Sequence, residues 1–177
     1  MSWASQNDDA MAAFRAGRYD VAEAAFLENA KCALRQERNL TATVDDARFG
    51  TRQQNLDPAV STAAFQTPTN LPQRTGQTCT QRGFQLYMAG LSQIQLGRPD
   101  DAKKSFKKAT SLSKTLYDAH YKLGLMALLE GDHKMAERQL AKIESILTRC
   151  HACAARQEIS DRQVHLQKAL NGEVRLY

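Results

Sequence analysis

No stretch of the chain is apolar for long enough to cross a bilayer. The longest run, Leu123–Leu129, holds seven residues, where a spanning helix needs about twenty. Four Pro and nine Gly in 177 residues exclude a collagen-like or low-complexity chain. Four Cys are too few for a cysteine-dense miniprotein. Aromatic residues make up only 7%, and no window alternates apolar and polar residues for long, so no sheet is expected. Residues 1–15 show no basic start followed by an apolar stretch, the pattern of a secretory leader. That reading is silent about a leader removed before Met1. Catalytic signatures are missing as well: there is no Gly-rich phosphate loop, no G-x-S-x-G and no H-E-x-x-H. Asp45-Asp46 and Asp100-Asp101 are chain neighbours, so their side chains diverge along a helix instead of facing each other for acid–base work. The expectation is a protein that is not an enzyme, with no cofactor, no metal and no small-molecule substrate.

What is present is globular composition: 42% hydrophobic and 24% charged residues, and enough chain for one domain with a core. The formal charge is +5, and much of it sits in one place. From Asp101 to Lys114 there are five Lys and one Asp. The cluster Lys103, Lys104, Lys107 and Lys108 is either an ordinary solvated helix face or a patch that attracts acidic protein, nucleic acid or anionic lipid. Nucleic acid is not the expected partner; contact with a membrane surface is left open.

A repeat organises the chain. Gly90–Gly97 and Gly124–Gly131 both read G-x6-G, and the two copies lie 34 residues apart. Ala102 and Phe106 recur as Ala136 and Leu140 at the same offset. A third copy near the start has Gly17, Ala22 and Phe26 where the second has Gly97, Ala102 and Phe106, with Ala10 in place of the first glycine. Where two helices cross closely, only a hydrogen or a methyl fits between them, so Gly90, Gly124, Ala102 and Ala136 read as contact points and Phe106 and Leu140 as fillers of the adjacent hollows. Gly17, Gly97 and Gly131 suit the left-handed residue that ends a helix. Pro99 suits a first turn, and Asp132 an N-cap.

This pattern resembles the tetratricopeptide repeat over residues 3–36 and 83–150. The position that often carries Trp or Leu early in the first helix holds Gln6, Leu86 and His120, so the first and third copies depart from the family there, and Lys114 departs where a repeat often ends in Pro. The resemblance implies an all-α fold, a right-handed stack of three helix–turn–helix units in a single domain over 1–177. The units are 3–36, 83–116 and 117–150. A 46-residue insertion, 37–82, follows the first, and a capping helix and tail, 151–177, follow the last. The insertion carries nine Thr from Thr41 to Thr80 and three prolines, Pro58, Pro68 and Pro72. It reads as loop with a short helix around Val44–Gln54. The capping helix, from Ala154 to Leu170, offers Ile159, Val164, Leu166 and Leu170 for packing.

Cys150-His-Ala-Cys153 has three readings. A redox site needs a βαβ context that is missing. A zinc site, with His151 or His165 or with Cys32 and Cys79, lacks its second ligand pair. The reading adopted is a disulfide fastening the capping helix to the last repeat, with Cys32–Cys79 as a second bridge across the insertion. The remaining histidines, His120, His133 and His165, have no paired spacing. The cysteine tail also resembles that of exported bacterial tetratricopeptide proteins, which implies the periplasm. Free buried thiols in a cytoplasmic protein stay open as the alternative.

In that family the first helices line a concave groove. The resemblance puts Asn7, Met11 and Phe14 there from the first unit, and Phe84, Tyr87, Leu91 and Ile94 from the second. Asp118, Tyr121, Lys122, Leu125 and Leu128 come from the third. The Asn and Lys/Arg set of a carboxylate clamp is not reproduced. Two readings follow. In one, the strip receives a partner protein's helix or peptide, with Tyr87 and Tyr121 as anchors. In the other, the strip is filled from within, and the module acts through its basic face on an acidic partner or membrane surface. A secretion chaperone is a third class, against which the insertion and the four cysteines count.

Overall fold

The structure is a computed structural model, and it describes residues 3–31 and 82–174, with side chains from residue 7 onward. Among the described residues there are seven helices and no strand. They are α1 (Trp3–Arg15), α2 (residues 19–31), α3 (Arg82–Gln95), α4 (Pro99–Leu112), α5 (Tyr117–Leu129), α6 (His133–Arg149) and α7 (Arg156–Leu170). The fold is all-α, as expected. Most of the expected insertion, its helix at Val44–Gln54 and the Cys32–Cys79 pair lie outside the described residues; Arg82, placed in the insertion, opens α3.

Three short turns build the helix pairs, and all three are made alike. Gly17, Gly97 and Gly131 have φ of 74°, 71° and 77°, a region that a side chain disfavours. The residue after each glycine reaches back five positions: Arg18 N–H to Ala13 O at 2.9 Å, Arg98 N–H to Gln93 O at 2.9 Å, Asp132 N–H to Ala127 O at 2.8 Å. That bond satisfies a carbonyl left over at the helix end. The next helix then starts with Pro99 in its first turn, or with Asp132, whose carboxylate accepts from Met135 N–H at 3.0 Å.

The pairs pack through small residues. A methyl group added at Gly90 would stand 2.5 Å from the Phe106 ring, so the missing side chain is what lets α3 close on α4. Ala89, Ala102 and Ala109 are wholly buried. Gly124 has a different neighbour from the one its repeat position implies: the nearest side chain is Leu166 of α7, at 2.6 Å from an added methyl, and not Leu140. Leu140 joins a cluster with Ile143, Ile146, Ile159 and Leu166, where α5, α6 and α7 meet. Of the residues expected to pack from the last helix, Ile159 and Leu166 are buried and Leu170 is half-buried. Val164, two positions before Leu166 and so on the far side of the helix, is 45% exposed.

Polar side chains cross from the first pair to the second. Gln85, fully buried, donates to Asn7 at 3.0 Å. Gln93 donates to Glu23 at 2.8 Å and accepts from the Ser105 hydroxyl at 2.8 Å, and Arg98 pairs with Glu23. No buried side-chain nitrogen or oxygen is left without a partner among the described residues, as a buried polar seam requires.

Candidate interaction surface

The first helices of the pairs, α1, α3 and α5, carry the expected groove lining. On α1 and α3 it is apolar and half-buried: Met11, Phe14, Phe84, Tyr87 and Leu91 lean on the core between the first two pairs. Ile94, one turn beyond Leu91, is 37% exposed. Tyr87 links Phe84 to the interior, with ring centroids 6.5 Å from Phe84 and 5.8 Å from Phe106. Its burial, with the Asp118 carboxylate nearby, pushes the phenol above its ordinary pKa, so it stays a neutral hydroxyl. Asn7 belongs to the seam under this face, bonded to Gln85.

The α5 end is different, because α7 covers it. Tyr121 is only 6% exposed. Its hydroxyl meets His165 Nδ1 at 3.0 Å, and the two rings sit edge to face at 5.7 Å. The Arg162 guanidinium lies 5.0 Å from the Tyr121 ring centre, near enough for cation–π attraction. It also donates to Asp118 at 3.0 Å. Burial works to lower the Arg162 pKa, but the hydrogen bond and charge of Asp118 outweigh it and raise it. Lys122 stands 5.7 Å from the same ring, with its ammonium pushed below its usual range by burial and by Arg162. Tyr117 donates to Glu158 of α7 at 2.6 Å. Leu125 and Leu128 stay half-buried beside this cluster.

The structure therefore brings Phe84, Tyr87, Leu91 and Ile94 onto one stripe, and sets Asp118, Tyr121 and Lys122 under or beside a polar clasp from α7. Periodicity gave no sign of Arg162, His165 and Glu158, because α7 falls out of the 34-residue register. Nor did it mark Glu23, Gln85 and Gln93.

The four lysines of α4 do not act alike. Lys103 pairs with Glu130 across to the end of α5, and Lys104 pairs with Asp101 at 3.1 Å. Lys107 and Lys108 are exposed, with no ion pair among the described residues. Beyond α6, Cys150 and Cys153 form a close pair, Cα atoms 5.4 Å apart, a separation compatible with a disulfide. Arg156 steadies this turn by donating to Leu147 O at 3.3 Å and Cys150 O at 2.6 Å.

No helix among the described residues is long and apolar enough to cross a membrane. No curated protein and no solved structure gives a significant match to the chain. The tetratricopeptide repeat family model matches residues 87–144, from the middle of α3 into α6. The glycine turns, the Gly90–Phe106 contact and this match agree, and the segment from Tyr87 to Glu144 belongs to the tetratricopeptide repeat family.

Proposed function

We propose that the chain is a non-catalytic interaction module, an adaptor or assembly factor, that docks an apolar segment of a partner protein on the α1–α3–α5 face. Tetratricopeptide repeats generally mediate protein–protein interaction. The observation that carries the reading further is the stripe Phe84, Tyr87, Leu91 and Ile94, spaced by helical turns and reaching the surface at Ile94. Anchors at such spacing suit an amphipathic helix or an extended peptide, and each square ångström of apolar surface removed from water contributes about 25 cal/mol. The seating of α7 over Tyr121 moves the proposed dock toward α1 and α3.

The test is capture of partners from the native cell by tagged wild type, by Ile94→Glu and by the paired change Lys104→Glu, Lys108→Glu. Loss of the same captured protein with Ile94→Glu alone, at unchanged melting temperature, supports the stripe. Loss with the lysine pair alone favours the second reading, supported by the α7 clasp: a face filled from within and a module working through Lys103, Lys104, Lys107 and Lys108. The close Cys150–Cys153 pair supports an exported, oxidising setting.

A further inference from the structure

A cleft of about 250 Å³ opens between α4 and α6, with α5 as its floor. Lys103 and Lys107 reach it from α4 and Lys142 from α6. The floor is His120, only 7% exposed, whose Nδ1 meets Gln139 Oε1 at 2.8 Å. Leu123 and Met135 supply an apolar wall. Among the described residues the lining holds no carboxylate. Lys103 is engaged by Glu130 from outside it, while Lys107 and Lys142 have no ion pair among the described residues.

Two ammonium groups lining one cleft without a carboxylate among the described residues repel, and an anion between them relieves that repulsion. A single carboxylate supplies one charge against the two lysines that Glu130 leaves unmatched; a phosphate group supplies nearly two, which lysines bind as point charges. The volume is below the roughly 300–1,000 Å³ of drug-sized ligand sites, which matches a compact group. We propose that this cleft binds a phosphate-bearing anion, held by Lys103, Lys107 and Lys142 over His120. The proposal does not depend on what docks on the α1–α3–α5 face.

The test is an NMR titration of the full chain with inorganic pyrophosphate in chloride buffer, for wild type, Lys107→Ala with Lys142→Ala, and a control pair, Lys104→Ala with Lys108→Ala. The four substituted lysines, Lys104, Lys107, Lys108 and Lys142, all lie on exposed helix positions, and the half-buried Lys103 is left intact, so each variant is expected to keep the fold. The expected result is saturable shifts at His120 and its neighbours, weakened at least tenfold by the cleft pair and unchanged by the control. An upward move of the His120 titration on adding pyrophosphate marks charge placed beside the ring. Equal weakening by both pairs, or no saturable shift, overturns the site. Sedimentation with vesicles containing phosphatidylinositol bisphosphate, but not with phosphatidylserine vesicles, identifies a lipid headgroup as the source. Pyrophosphate binding without sedimentation identifies a soluble phosphate ester.

Discussion

Single atoms decide the closest contacts. Gly90→Ala drives a methyl into the Phe106 ring, and overpacking of this kind costs about 1–3 kcal/mol. Urea unfolding is expected to show a lower midpoint with an unchanged slope. Gln93 holds Glu23 and Ser105 together, so Gln93→Ala leaves the buried Ser105 hydroxyl unpaired, while Glu23 keeps Arg98, and is expected to cost about 1–3 kcal/mol in the same assay. His120 gives a pH dependence with a defined sign. Its burial, aided by Lys142 and opposed by hydrogen bonds with Gln139 and the Lys114 backbone, lowers its pKa below 6.5. The cleft around it also holds Lys103 and Lys107. The unfolded chain therefore takes up the proton first as pH falls, and stability drops from about pH 6.5 downward until the folded state protonates too. Melting curves between about pH 7 and pH 5 are expected to show a larger loss for wild type than for His120→Gln. An equal loss would mean that the ring is not held neutral.

Helices and turns were the most legible level. The glycines at 17, 97 and 131 mark their turns because only a left-handed residue lets the chain reverse so tightly, and that need recurs with every pair. The same periodicity misplaced the partner of Gly124. A repeat position implies Leu140, but α7 follows a turn of different length after Cys150 and presents Leu166 instead. A period records contacts made in every unit and is blind to contacts made once. For this reason the α7 clasp on Tyr121 and Asp118, and the glutamine seam between the first two pairs, had no signal in the sequence. Leu166 is fully buried against α5 and α6, so Leu166→Ala is expected to destabilise the chain by about 2–5 kcal/mol. At the α6–α7 turn, mass shift after alkylation of unreduced protein is expected to leave Cys150 and Cys153 unlabelled. On a chain-entropy basis their bridge contributes about 2 kcal/mol. Labelling of both would remove the staple and the argument for an oxidising compartment.

For the molecule as a whole, an all-α stack was readable because helix pairs that bury small residues every 34 positions have few other ways to pack. The surface was less so. Phe84, Tyr87, Leu91 and Ile94 share a stripe as their spacing implies, but whether a neighbour in space covers a residue depends on the path of the chain, and α7 covers Tyr121. The proposed function rests on that stripe as a dock for another protein. Its most direct test is photo-crosslinking in the native cell from a benzophenone side chain placed at position 94, with position 108 on the basic face as the reference. A discrete protein adduct is expected from position 94 and none of the same mass from position 108. No adduct from 94, or the same adduct from both positions, would contradict it.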